Sequence, residues 1–269
     1  MICEKFDLSV KGSTGNPMLS TYIIEDSAEY KIKKRPLVLI CPGGGYVMTS
    51  DREAEMIALN YNAYGFHAAV LRYSVAPAVF PTALLELAVS IKFFREKAEQ
   101  WHIDSDRIFL QGFSAGGHLV ASFGCFWTDE MFVEIHRREM ELIRPNGIIL
   151  GYPVITSGPH AHRDSFRNLL GDKYDSLVEE VSLEKKVNRN NPRTFIWATC
   201  DDELVPVENS LLFMQALKEN GIPFEAHIYP EGKHGLSLGN KSTESPEGKE
   251  IQLEVNDWIS KAARFIGDL

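Results

Sequence analysis

The sequence is poor in the features that would take it out of ordinary globular chemistry. Nothing in its 269 residues approaches the ~20 consecutive apolar positions of a membrane span. The opening Met1-Ile2-Cys3-Glu4-Lys5-Phe6-Asp7 puts charges where a secretion signal needs an apolar stretch, so a cytoplasmic location is expected. Cysteine is scarce. Cys3, Cys41, Cys125 and Cys200 have neither metal-ligand spacing nor the density of a disulfide framework, and each sits in or beside an apolar run. All four are therefore expected to be buried free thiols. Positive charge is also in deficit: 28 Lys and Arg stand against 37 Asp and Glu, a formal charge of -9. That balance disfavours capture of nucleic acid or an anionic membrane, and a small neutral molecule is the better partner. No repeat, low-complexity tract or linker divides the chain, so residues 1–269 are read as one domain, for which a homodimer is allowed.

What is present is a regular alternation. Two short strand candidates, Phe6 to Val10 and Met18 to Ile24, flank the turn-rich stretch Gly12 to Pro17 and read as an edge hairpin. Pro36 to Cys41 is a continuous apolar run, as a parallel strand covered on both faces requires. Helices are expected over Asp51 to Tyr64, Thr82 to Gln100, Ser114 to Phe126, Val207 to Asn220 and Glu250 to Ile266. Strands are expected between them at Phe66 to Arg72, Arg107 to Gln111, Gly147 to Gly151, Thr194 to Thr199 and Phe224 to Tyr229. Strands alternating with helices imply an α/β fold, a mostly parallel sheet of about eight strands with helices on both faces. The polar stretch 156–191 is placed over the carboxyl edge of that sheet as a small lid or substrate wall.

Ligand sites in parallel α/β sheets lie outside the carboxyl ends of the strands, and four expected strand ends carry reactive groups. The first is followed by Pro42-Gly43-Gly44-Gly45-Tyr46 and another by Gly112-Phe113-Ser114-Ala115-Gly116. A later one leads into Cys200-Asp201-Asp202-Glu203, and the last into Lys233-His234-Gly235. Serine flanked two residues away by glycine suits a turn that exposes its hydroxyl at a helix N-terminus. Such a hydroxyl becomes a nucleophile only when an imidazole takes its proton, and the imidazole needs a carboxylate on its other nitrogen. His234 is the histidine best placed at a strand end. Asp201, Asp202 and Glu203 all remain open as the acid. Gly235-Leu236-Ser237-Leu238-Gly239 repeats the serine pattern, but no strand run feeds it and no usable base follows.

These motifs, in this order and over nearly the whole chain, resemble the α/β-hydrolase fold. The likeness is to its branch of hormone-sensitive-lipase-like and acetyl or feruloyl xylan esterases. The resemblance implies Ser114 as nucleophile, Asp202 as the acid of a D-x-x-V-P turn and His234 as base. It implies Gly44, Gly45 and Ala115 as donors of an oxyanion hole, with no cofactor. Two departures stand out. Pro42 replaces the histidine of the usual His-Gly-Gly-Gly, so proline rigidity is expected to fix that loop. With the first strand expected within a few residues of Met1, no N-terminal helical cap like that of lipase-like members is expected, which suits short acyl groups, acetyl above all, on a sugar or other small alcohol. Tyr46, Phe113 and Tyr152 are expected to line the acyl or alcohol pocket.

Other readings fit less well. His160, His162 and Asp164 form H-x-H-x-D but lack a further histidine for a two-metal hydrolase, so no metal is expected. Gly43-Gly44-Gly45 does not fit the dinucleotide pattern G-x-G-x-x-G. A prolyl-oligopeptidase-like peptidase would need a propeller domain that this length cannot hold. A non-catalytic hydrolase-like binding protein would be expected to lack His234.

Overall fold

In a computed structural model of the chain, residues 1–136, 139–248 and 250–267 are described. Positions 137, 138, 249, 268 and 269 of the expected domain lie outside them. Eight strands form one sheet: β1 (Lys5–Asp7), β2 (Met18–Tyr22), β3 (Arg35–Cys41), β4 (His67–Arg72), β5 (Ile103–Phe113), β6 (Gly147–Gly151), β7 (Thr194–Thr199) and β8 (Phe224–Tyr229). Their spatial order is β1-β2-β4-β3-β5-β6-β7-β8. β1 and β2 make the antiparallel edge, and all pairs from β4 to β8 are parallel. The sheet thus has the α/β-hydrolase architecture.

The helices are α1 (Glu55–Ala63), α2 (Thr82–Glu96), α3 (Ser114–Phe126), α4 (Val133–His136), α5 (Arg163–Leu170), α6 (Tyr174–Leu177), α7 (Glu208–Glu219) and α8 (Trp258–Ile266). Alternation along β3 explains why they cover both faces. Leu37, Leu39 and Cys41 join Leu87 and Ile91 of α2, Leu119 and Phe123 of α3 and Phe213 of α7 in one core. Val38 and Ile40 join Ile57 and Tyr61 of α1 and Trp258 and Ala262 of α8 in the other. Fully burying a side chain such as Leu87 or Ile91 stabilises by about 1.5–3 kcal/mol, so the apolar stripe of α2 holds it to the sheet. No described helix is long and apolar enough to cross a membrane.

Besides β1, which runs Lys5–Asp7 rather than to Val10, and α2, which ends at Glu96 rather than Gln100, four expectations need correction. α8 starts at Trp258, not near Glu250, because the preceding segment is spent on turns. Gln252 donates to the Gly239 carbonyl and Val255 to that of Gln252, while Ile251 is exposed. α1 is preceded by a separate 3-10 turn over Asp51–Glu53, and Ala54 breaks the helix geometry between them. β5 begins four residues earlier than Arg107, since Ile103 pairs with Arg35 across a register shift. Finally, only Cys41 and Cys125 are buried; burial pushes the Cys125 thiol up to about 12. Cys3 lies beyond the edge strand and Cys200 just past β7, and both are exposed.

The stretch 156–191, which contains α5 and α6, is tied back to the sheet. Leu183 donates to the Ile155 carbonyl, and Asn168 Nδ2 donates to the Gly45 carbonyl at 2.8 Å. It therefore packs against the glycine loop that follows β3.

Candidate active site

β5 ends at Phe113 and α3 begins at Ser114, whose φ of 51° lies in the left-handed region. Holding a non-glycine residue there costs on the order of 1–3 kcal/mol and needs tight surroundings. The flanking glycines supply them. A Cβ on Gly112 would sit 2.2 Å from the Gly116 carbonyl oxygen, and one on Gly116 would sit 2.1 Å from that of Cys41. Only bare backbone fits, so the loop after β3 comes directly against the turn that presents Ser114.

His234 reaches this hydroxyl from the loop after β8, with Nε2 2.8 Å from Ser114 Oγ. Its Nδ1 lies 2.7 Å from Oδ2 of Asp202, which comes from the loop after β7. The other Asp202 oxygen accepts from the amides of Leu204 at 3.0 Å and Val205 at 2.9 Å. Two fixed donors on Oδ1 orient the carboxyl so that Oδ2 accepts from Nδ1–H. That tautomer leaves Nε2 free to accept the serine proton. Asp202 is buried whereas its neighbours Asp201 and Glu203 are exposed, so local chain direction brings only Asp202 to the imidazole.

The glycine loop faces the serine. A Cβ on Gly43 would lie 2.9 Å from Ser114 Cβ. Gly44 and Gly45 have φ of 133° and 62°, and a Cβ on Gly44 would lie 2.3 Å from the Met48 carbonyl oxygen. Among the described residues nothing accepts the Gly44 and Gly45 amide hydrogens. The amide of Ala115 lies in the first turn of α3, immediately after Ser114. The loop is held by more than the rigidity of Pro42. Tyr73 donates its hydroxyl to the Pro42 carbonyl at 2.7 Å, and the Gly43 amide donates to Glu53 Oε2 at 2.7 Å.

The three aromatics expected in the pocket are placed differently. Phe113 is fully buried against Trp258 in the core. Tyr46 is buried, donates to His118 Nδ1 at 2.9 Å, and borders a small apolar space with Phe80, Leu84 and Leu169. Tyr152 lies beneath the histidine, its ring centroid 5.1 Å from that of His234, and its hydroxyl donates to Glu53 Oε1 at 2.6 Å. The cleft beside His234 is instead a space of about 280 Å³ bounded by Asp201, Glu203, Leu204, Lys233 and Glu250. Proximity in sequence to the reactive residues selected the aromatics; side-chain direction turns them inward.

Three other histidines, His118, His160 and His162, have partners elsewhere. His118 donates Nε2–H to the Val181 carbonyl, and burial pushes its imidazole down to about 4, so it stays neutral. His162 holds the Ser165 hydroxyl at 2.8 Å; burial first and the nearby His234 second lower its basicity. His160 faces Glu208 at 3.8 Å, and no group of three or more potential metal ligands forms among the described residues. Ser237, in the second serine pattern, is buried and donates its hydroxyl to the Arg52 carbonyl. Sequence reasoning missed the contacts that Glu53 and Asn168 make with the glycine loop: no spacing or motif marks the bonds to Gly43 and Gly45.

A sheet that delivers serine, aspartate and histidine from three strand ends, facing an amide-rich loop, defines the α/β-hydrolase fold with its reactive groups assembled. The chain belongs to the BD-FAE family, which matches residues 25–217. It is 38% identical over 231 residues, 83% of its length, to endo-1,4-beta-xylanase B of Butyrivibrio fibrisolvens. It is 30% identical over 225 residues, 81% of its length, to an acetylxylan esterase of Xylanibacter ruminicola. The chain spans only 35% and 44% of these two curated relatives. The crystal structure of an acetyl ester-xyloside bifunctional hydrolase from Caldicellulosiruptor lactoaceticus is similar with a TM-score of 0.83 and 35% identity. That likeness covers 97% of this chain and 94% of the other.

Proposed function

We propose that this chain is a serine carboxylesterase that removes short acyl groups, acetyl above all, from small alcohols including acetylated sugars. The observation that carries this reading is the unbroken hydrogen-bonded line from Ser114 Oγ through His234 to Asp202. Ser114 attacks the ester carbonyl while His234 Nε2 takes its proton. The negative charge that develops on the carbonyl oxygen meets the amides of Gly44, Gly45 and Ala115. Preorganised donors of this kind are worth about 3–4 kcal/mol each in the transition state. The imidazolium then passes its proton to the departing alcohol. Water repeats the sequence on the acyl-serine, with His234 again as base.

The substrate class draws on two supports. Four charged side chains, Asp201, Glu203, Lys233 and Glu250, bound the cleft beside His234, a lining suited to a polar substrate. The names of the Xylanibacter and Caldicellulosiruptor proteins point to acetyl esters on xylose-based sugars. The stretch 156–191 acts as one wall of the site through Asn168 and the Gly45 carbonyl. Exposed, unpaired Cys3 and Cys200 fit a reducing cytoplasm.

The test is hydrolysis of p-nitrophenyl acetate and of acetylated xylo-oligosaccharides by the purified chain and its Ser114→Ala variant. The variant is expected to lose kcat by on the order of 10⁶, while a fluorophosphonate probe labels only the unaltered chain. Undiminished turnover by Ser114→Ala would overturn the reading.

A further inference from the structure

Two loops frame the active site, the glycine loop after β3 and the histidine loop after β8, and one buried side chain lies between them. Glu53 is 4% exposed and sits in the short 3-10 turn before α1. Its Oε2 accepts the Gly43 amide at 2.7 Å, and its Oε1 accepts the Tyr152 hydroxyl at 2.6 Å. Tyr152 in turn accepts the Ser237 amide at 3.0 Å, three residues beyond His234, and places its ring under the imidazole. A Cβ on Gly43 would come within 2.7 Å of Glu53 Oε2 and 2.9 Å of Ser114 Cβ. The Gly43 backbone is therefore wedged between this carboxyl and the nucleophile's turn. The same segment is closed by a second bond, from the Ser50 amide to the Gly43 carbonyl at 2.9 Å.

We propose that Glu53 is a positioning residue for ester hydrolysis: by accepting from Gly43 and from Tyr152 it sets the oxyanion-binding amides against the loop that carries the base. The inference rests on the esterase reading above. Its chemistry is specific to a group that accepts at both ends. A carboxyl offers two acceptor oxygens, whereas a glutamine amide offers one oxygen and one NH₂. Turned one way, glutamine keeps the Gly43 bond but sets its NH₂ against Tyr152, leaving the tyrosine proton without that acceptor. Turned the other way, it opposes NH₂ to the Gly43 amide and pushes the donor loop off Ser114. Either arrangement breaks one arm of the bridge at nearly constant volume. Because the donors of Gly44 and Gly45 are needed most when the carbonyl oxygen carries charge, the damage falls on the transition state more than on substrate binding.

The experiment compares Glu53→Gln and Tyr152→Phe with the unaltered chain and with Ser114→Ala. kcat and KM are measured on p-nitrophenyl acetate, and Ki for a trifluoromethyl ketone whose serine adduct mimics the tetrahedral intermediate. Rates of the three chains that keep Ser114 are divided by the number of sites that a fluorophosphonate labels at completion, so a smaller folded fraction does not masquerade as slower chemistry; Ser114→Ala is normalised to total protein. Glu53→Gln is expected to lower kcat about 10- to 100-fold with KM within about threefold. Its ketone affinity should fall by the same factor as kcat/KM. Tyr152→Phe frees only one arm and is expected to lose about 3- to 10-fold in both quantities. It serves as the test by itself if Glu53→Gln does not fold. Per-site kcat within twofold of the unaltered chain, or a lower kcat with unchanged ketone affinity, would overturn the proposal. Full activity in Ser114→Ala would instead overturn the esterase reading on which it stands.

Discussion

Asp202 and His234, thirty-two residues apart, meet at 2.7 Å through a carboxyl that is almost wholly buried. Its second oxygen is already committed to the amides of Leu204 and Val205. This division of labour decides what an amide at the position would do. In Asp202→Asn the single oxygen must face those two amides, so the NH₂ faces Nδ1. The imidazole is then driven to carry its proton on Nε2, where it can no longer accept from Ser114. We expect Asp202→Asn to lower kcat about 10⁴-fold and Asp201→Asn to change it less than about threefold. Steady-state hydrolysis of p-nitrophenyl acetate distinguishes them.

The turn at Ser114 should be intolerant of the smallest side chain. Gly116→Ala would thrust a methyl to within 2.1 Å of the Cys41 carbonyl oxygen at the end of β3 and 2.4 Å of that of Pro42 just after it, both backbone atoms. Neither can rotate away as a side chain would. A destabilisation of about 3 kcal/mol or more is expected, read as a lower urea midpoint, with loss of activity in whatever folds.

Two imidazoles should make the protein acid-sensitive. Burial pushes His67 and His118 down to about 4, against 6.5 when unfolded. His67 accepts from the Ile24 amide and His118 from the Tyr46 hydroxyl, so each is held neutral. Between these values the unfolded chain binds protons that the folded chain refuses. Stability should therefore be unaffected by either group above about pH 6.5, fall as the pH drops from there toward about 4, and level off below. Urea unfolding across this range tests it, and His118→Gln should reduce the slope by about one proton.

Asn168 offers a test of the wall formed by the 156–191 stretch. Its Nδ2 donates to the Gly45 carbonyl, one peptide from the Gly45 amide proposed to meet the oxyanion. Asn168→Ala should lower kcat about 3- to 10-fold, as loss of a hydrogen bond worth about 1 kcal/mol implies. The exposed Asn190→Ala should leave kcat unchanged. A stopped-time assay of both variants suffices.

The charged cleft beside His234 should discriminate among leaving groups. Asp201, Glu203 and Glu250 outnumber Lys233 there, although Arg52 approaches Glu250 at 3.8 Å and offsets part of the field. An aryl acetate with a carboxylate on its leaving group should show kcat/KM about 3- to 10-fold below a neutral analogue at low salt. The gap should narrow at about 0.5 M salt, where screening shortens to a few ångströms.

Much of the scaffold was legible in the residues themselves. Gly147 to Gly151, Thr194 to Thr199 and Phe224 to Tyr229 are strands with the expected bounds, and α3 begins and ends where its pattern says. Short apolar runs between turn residues leave few alternatives. The places that escaped are those fixed by partners far along the chain. The start of β5 depends on Arg35, and the late start of α8 depends on the turn at Gly239. Glu53 looks like any polar residue at a helix start until Gly43 and Tyr152 close on it. Tyr46, Phe113 and Tyr152 stand beside reactive residues in sequence, yet which way a ring points is settled by packing that no period encodes.

The sheet order places β5, bearing Ser114, among interior strands, while β8, whose following loop bears His234, is the outermost strand on its side. Fraying starts at such a border, where one row of hydrogen bonds has no neighbour. On warming, the His234 loop is therefore expected to part from Ser114 before the turn at Ser114 melts, which would show as activity lost at a temperature where amide protection persists. Heat-inactivated molecules would keep most of their amide protection and recover turnover on cooling, because only a margin has to be rezipped.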